Sequence, residues 1–256
     1  MGKRGKMKKE IYLPILGIAA GELMMYYNLV DIGMGIHMTN LLIMVLLLIF
    51  SNISAQVKNV FQSMLLLLLL RIVSVAMPQF SSTPLLWLPL VYGVMFIPIY
   101  LVIKNQQISS KELGMGSGRL HIYLPAALLI GAGMAIIEYR ILRPAPLIES
   151  IGLSSLALVA VVMFFFVAAS EELIFRSILQ TRLERAVGLK YGLLLSGGIF
   201  GIMHAGYGAA NELLLAGFFG GLLGYIFQRT RSLPLIVAVH GTANVVLFGV
   251  LPIILA

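Results

Sequence analysis

Apolar residues run through this chain in long, nearly unbroken blocks, and polar residues collect in the short gaps between them. A block of about 20 apolar residues is the length an α-helix needs to cross a bilayer. Nine such blocks occur, at roughly 11–30, 36–54, 59–80, 84–104, 120–142, 152–180, 190–207, 210–228 and 233–255. The pattern predicts an all-α, polytopic integral membrane bundle of about eight to nine transmembrane helices: nine if every block spans, eight if one is re-entrant. The sixth block is over-long, and the short gap near 208 makes the seventh and eighth a tight hairpin. One polar gap, 105–119, is long enough to be a cytoplasmic linker between helices one to four (1–104) and a C-terminal core (120–256).

Composition agrees with the pattern. The chain has 256 residues, 60% hydrophobic and 11% charged, where a soluble domain carries about 25% charged residues. Lys and Arg outnumber Asp and Glu 18 to 10, but their spacing follows membrane topology and not a nucleic-acid surface, so nucleic acid is excluded and the lipid bilayer is the required partner. Lys3, Arg4, Lys6, Lys8 and Lys9 precede the first block, and the next gap holds none. Lys58, then Lys104, Lys111 and Arg119, then Arg182, Arg185 and Lys190, then Arg229 and Arg231 occupy alternate gaps, against only Arg140 and Arg143 on the other side. The positive-inside rule then puts the N-terminus in the cytoplasm and the C-terminus outside. The basic start MGKRGKMKKE imitates a signal peptide, but the apolar run after it is of spanning length and reads as a first transmembrane helix. With no cysteine, thiol nucleophiles, disulfides and iron–sulfur clusters are excluded.

Ionisable groups inside hydrocarbon are costly and mark function. Glu10, Asp31, Glu112, Glu149 and Glu184 fall at block ends or in gaps, where water solvates them. Glu22 and Glu138 lie near an end or alone, and Glu212 lies beside a turn. Only Glu171 and Glu172, in FFFVAASEELIFR, are adjacent and deep in a block. Arg176 is four residues after Glu172, on the same helix face and in the favourable order. Glu171 points about 100° away and is left available. His37 and His121 stand near helix starts and read as interfacial, while His204 and His240 lie inside blocks, the latter four residues before Asn244. Counted at about 1.5 Å per residue from the basic ends, Glu171, His204, His240 and Asn244 reach similar depths in three separate helices.

A carboxylate and an imidazole at one depth can hold and deprotonate a water, and a second imidazole with an amide can donate to an oxyanion. That combination describes hydrolysis of an acyl bond by water. There is no Gly-x-Ser-x-Gly elbow, and Ser170 has no activating partner in the sequence. Two histidines and glutamates are also candidate zinc ligands, but no His-Glu-x-x-His occurs and Arg176 opposes a cation. An ion-coupled transporter and a non-catalytic membrane binding or immunity protein are the other function classes.

Three motifs, Glu171-Glu172-x-x-x-Arg176, Phe200-x-x-x-His204 and His240-x-x-x-Asn244, resemble the signature of the CPBP family. These are CAAX proteases and bacteriocin-processing (Abi) proteins, intramembrane proteases related to the type II CAAX prenyl endopeptidase. The resemblance covers about residues 150–250. It implies an intramembrane endopeptidase acting on a prenylated C-terminus or another membrane-associated peptide. Glu171 and His204 would activate water, His240 and Asn244 would form the oxyanion hole, and Glu172, Arg176 and Phe200 would support them. Such enzymes are expected to work without a cofactor; the family is also labelled metalloprotease, which keeps zinc as the alternative. The active site would face the cytoplasmic half of the bilayer.

Overall fold

A computed structural model describes residues 9–76, 84–116 and 120–255. The basic tail at 1–8, the gap around 82 and Arg119 lie outside the described residues. Each apolar block forms a helix: α1 (Tyr12–Tyr26), α2 (Val30–Phe50), α3 (Ala55–Ala76), α4 (Pro84–Asn105), α5 (Leu120–Leu142), α6 (Leu153–Val187), α7 (Leu189–Ile202), α8 (Ala210–Thr230) and α9 (Leu233–Ile254). No strand occurs among the described residues.

Seven of these helices are long and apolar enough to cross a membrane. The other two, α1 and α7, have 15 and 14 residues. At about 1.5 Å per residue they are shorter than the roughly 30 Å hydrocarbon core, so the first and seventh blocks penetrate without the length to cross alone. The second helix begins six residues before the predicted block. Asp31 sits in its first turn, where a carboxylate is stabilised by the unpaired amides of the helix start.

Three apolar clusters hold the bundle together. The largest joins α2, α3 and α4 to α6 and α7 through Met44, Phe61, Met64, Met95, Phe175 and Phe200. A second joins α5, α8 and α9 through Met134, Leu223, Phe227 and Val239, and a third packs the first half of α6 around Val159 and Met163. Outward faces stay apolar, with Phe50, Leu129 and Phe218 each more than 60% exposed, the arrangement lipid solvates. The predicted hairpin is α7–α8. A Cβ at Gly201 would lie 2.5 Å from the Leu213 carbonyl oxygen, so only glycine permits this approach.

The linker is pinned down. Ser109 caps the one-turn helix Ser110–Leu113 and Gly114 ends it with φ 76°. The Gly114 carbonyl accepts from the Leu233 amide at 2.7 Å, and the Leu113 carbonyl accepts from Ser177 at 2.7 Å.

Candidate active site

The helix that carries the paired glutamates is distorted on both sides of them. Widened, π-type turns run over Val162–Ala168 and Leu173–Gln180, with Ala169–Glu172 between them. A third such turn, Val246–Val250, begins two residues after Asn244. Such turns change the phase of a helix and recur at functional sites.

Glu172 and Arg176 form the predicted pair, at 3.0 Å and with neither side chain exposed. His240 joins from α9, its Nδ1 2.7 Å from the same carboxylate oxygen. Arg176 also donates to the Gly220 carbonyl of α8 at 3.1 Å. Its guanidinium lies 4.3 Å from the centre of the Phe200 ring, a cation–π contact that replaces part of the lost hydration. One residue pair from a single helix thus ties α6 to α7, α8 and α9. The Arg176 Nε and the Glu172 Oε2 have no partner among the described residues.

Glu171 points away from this cluster, as its 100° offset requires. Its Oε1 accepts from the Tyr92 hydroxyl of α4 at 2.7 Å, and its Oε2 lies 3.7 Å from His240 Nε2. Because Glu172 occupies Nδ1 of His240, Nε2 donates only when that ring carries both protons.

His204 sits just past the end of α7, in a non-helical turn held by a bond from the His204 amide to the Gly201 carbonyl at 3.0 Å. Its Nδ1 is 2.8 Å from the Phe200 carbonyl. A carbonyl only accepts, so Nδ1 carries the proton and Nε2 keeps its lone pair. Phe200 and Tyr207 rings flank the imidazole, with centroids 4.7 and 6.0 Å away. Phe200 therefore touches both Arg176 and His204.

Two cavities, about 330 and 370 Å³, meet at these groups. Glu171, His204, Tyr92, Tyr207, Trp87 and Leu88 line both. The second lobe adds His240, Asn244 and Glu138 against apolar Met163, Val167 and Phe248. The structure therefore brings Glu171, His204, His240 and Asn244 to one cavity wall, with Glu172 and Arg176 behind it. Asn244 has no side-chain hydrogen bond among the described residues. No group of three His, Asp or Glu side chains among the described residues converges as a metal site would require.

Several polar residues differ from expectation. His37, read as interfacial, is fully buried, with Nε2 3.3 Å from Glu22. Glu22 pairs bidentately with Arg71 of α3, at 2.7 Å to each oxygen. Glu184, expected in water, is buried and accepts from Gln180, Gln228 and Arg231. Glu112 pairs with Arg182 and Arg185, and Glu212 is 1% exposed. For His37, Glu184 and Glu112 helix packing supplies partners that position along the chain cannot, whereas the Glu212 Oε2 has no hydrogen-bond partner among the described residues. Tyr92, Tyr207 and Glu138 were not anticipated as cavity residues. Glu138 carried a signal, an acid within a span, whereas a tyrosine in an apolar helix carries none.

Residues 153–246 match the family model described as Type II CAAX prenyl endopeptidase Rce1-like. The match bears out the resemblance drawn from the motifs and contains all three of them. Comparison with curated proteins and with solved structures gave no match.

Proposed function

We propose that the protein is an intramembrane endopeptidase that hydrolyses a peptide bond in a membrane-associated substrate, a prenylated CAAX-type C-terminus or another membrane-bound peptide. The observation that carries this reading is the wall shared by two cavities, where Glu171 of α6 and His204 beyond α7 face the same space. The match of 153–246 to a protease family supports it independently.

In this reading a water lies between the Glu171 carboxylate and His204 Nε2. The Tyr92 hydroxyl holds Oε1, leaving Oε2 to take the proton as the water oxygen attacks the scissile carbonyl. His204 Nε2 accepts from the second water hydrogen and aligns the lone pair. The carbonyl oxygen becomes an oxyanion, to which the doubly protonated His240 and the Asn244 amide donate. Collapse breaks the C–N bond, and the proton held by Glu171 passes to the leaving amine. Glu172 and Arg176 fix the His240 ring. The reaction consumes one water and needs no cofactor.

The apolar wall of the second lobe, Met163, Val167 and Phe248, suits a lipid-bearing segment entering from the bilayer. The N-terminus lies in the cytoplasm in this reading, and the site opens to the cytoplasmic half. That orientation rests on Lys58, Lys104, Lys111, Arg182, Arg185, Lys190, Arg229 and Arg231, which fall at helix ends of one sign of alternation.

The test is cleavage of labelled membrane peptides, prenylated and unprenylated, by protein purified into lipid nanodiscs, with and without chelator. Wild-type protein is expected to release product in both conditions. Glu171→Gln and His204→Ala are expected to lose about 10²- to 10⁴-fold in kcat/KM while inserting normally. Full activity in either variant removes that residue from the chemistry. Because the chain has no cysteine, single introduced cysteines at Lys111 and Arg143 report the orientation by labelling from each side.

A further inference from the structure

Resting on the endopeptidase reading, we infer that Arg71 anchors the free C-terminal carboxylate of the peptide substrate, in the cavity lobe away from Asn244. Arg71 is a cation within a span, and it is not sealed: its side chain is 14% exposed and lines the first lobe together with Glu171 and His204.

The reasoning starts from its donors. A guanidinium has five N–H groups in a fixed plane. Nε donates to Glu22 Oε1 and Nη2 to Glu22 Oε2, each at 2.7 Å, and Nη2 donates again to the Met203 carbonyl. Those three bonds leave both N–H groups of Nη1 without a protein acceptor among the described residues. Glu22 and the Met203 carbonyl hold the plane rigid, so the free edge is aimed and not mobile. Gly206 borders the space before it, where a Cβ would lie 3.9 Å from Nη1 at ordinary van der Waals contact.

The uncommitted N–H groups of Nη1 are charged donors in a low-dielectric cavity, where a carboxylate is the strongest acceptor they can meet. A neutral carbonyl would accept a weaker bond than a carboxylate at the same guanidinium edge. The lobes differ in their free donors as well. Beyond the shared wall, the first lobe adds Arg71 and Ser74, whereas the second adds His240, Asn244, Glu138 and apolar side chains. His240 and Asn244 are taken by the oxyanion in the proposed mechanism, so the anionic chain end is left with Arg71 in the first lobe. That difference gives the bound peptide a direction: its C-terminus lies toward Arg71, and the apolar, upstream part lies toward Met163 and Phe248. Cleavage at Glu171 then falls a short, fixed distance before the chain end.

The experiment compares two lipid-anchored peptides of identical sequence, one ending in a carboxylate and one in a carboxamide, cleaved by wild-type protein in nanodiscs. The carboxylate peptide is expected to be favoured at least tenfold in kcat/KM, chiefly through KM. In Arg71→Gln the ratio is expected to fall close to one, and in Arg71→Lys to an intermediate value, because a lysine keeps the charge without the planar group that Glu22 and Met203 hold in place. A residue that only braced His204 would lower both rates together and leave the ratio unchanged, and that result overturns the proposal. A wild-type ratio near one overturns it too, without recourse to any variant that fails to fold. Binding of the same two peptides to wild-type protein separates the two readings. If neither peptide is cleaved but the carboxylate form binds at least tenfold tighter, the anchor stands and the endopeptidase reading falls; equal binding overturns the anchor.

Discussion

One buried and one partly exposed arginine stand beside the cavity, and they are used differently. Arg176 of the C-terminal helices is fully enclosed, paired with Glu172, bonded to the Gly220 carbonyl and stacked on Phe200. Arg71 of the N-terminal helices is held as firmly by Glu22 and Met203 but keeps one edge open to the cavity. A buried ion pair seldom adds net stability over apolar packing, yet breaking one leaves a lone charge in low dielectric. The enclosed arginine is therefore a strut whose cost is justified by the geometry it imposes on His240. The open one retains donors that face the cavity.

That contrast can be broken most directly at Arg176. Arg176→Ala strips Glu172 of its cation and is expected to cost about 3–5 kcal/mol of stability, read as a lowered thermal midpoint in detergent. Arg71→Ala likewise strips the buried Glu22 of its cation, so the contrast is read in the carboxylate-to-carboxamide cleavage ratio, which Arg71→Ala is expected to abolish. If Arg176→Ala abolishes it equally, the contrast fails.

A smaller effect is expected from the seam that carries His204. Gly201→Leu places side-chain atoms where a Cβ would already meet the Leu213 carbonyl at 2.5 Å. Overpacking of this kind costs typically 1–3 kcal/mol, and here it also displaces the turn after α7. Loss of cleavage should therefore exceed the loss of thermal stability, measured on the same preparation. Equal losses would mean that His204 is insensitive to the α7–α8 spacing.

The mildest test concerns the reach of the N-terminal half into the chemistry. Tyr92→Phe removes one hydrogen bond to Glu171. A bond to a charged group is worth about 1.5–3 kcal/mol, so kcat is expected to fall roughly ten- to hundredfold with KM nearly unchanged. An unchanged kcat would separate α4 from the reaction and confine the chemistry to α6–α9.

The two halves also differ in how much of them could be read in advance. Glu172 and Arg176 lie four apart on one helix, so their contact follows from helical geometry alone. Glu22, His37 and Arg71 come from three helices, and nothing in their spacing links them. Arg71 is a cation within the third apolar block, but no local partner gives it meaning. His37 was misplaced for the same reason: a histidine near a helix start is interfacial unless another helix covers it. The solvated reading of Glu184 failed where Gln180, Gln228 and Arg231 close around it.

From sequence, apolar block length determined that the chain is a helical membrane protein, because a buried backbone in lipid must satisfy its own hydrogen bonds within each segment. The same local rule made the glutamate pair, its arginine and the three-motif order legible. Tertiary structure alone decided which side chains share a cavity, which nitrogen of His204 is free, and which arginine is sealed. Those outcomes depend on the rotation and depth of helices packed against one another, and these are set by contacts between residues far apart in the chain.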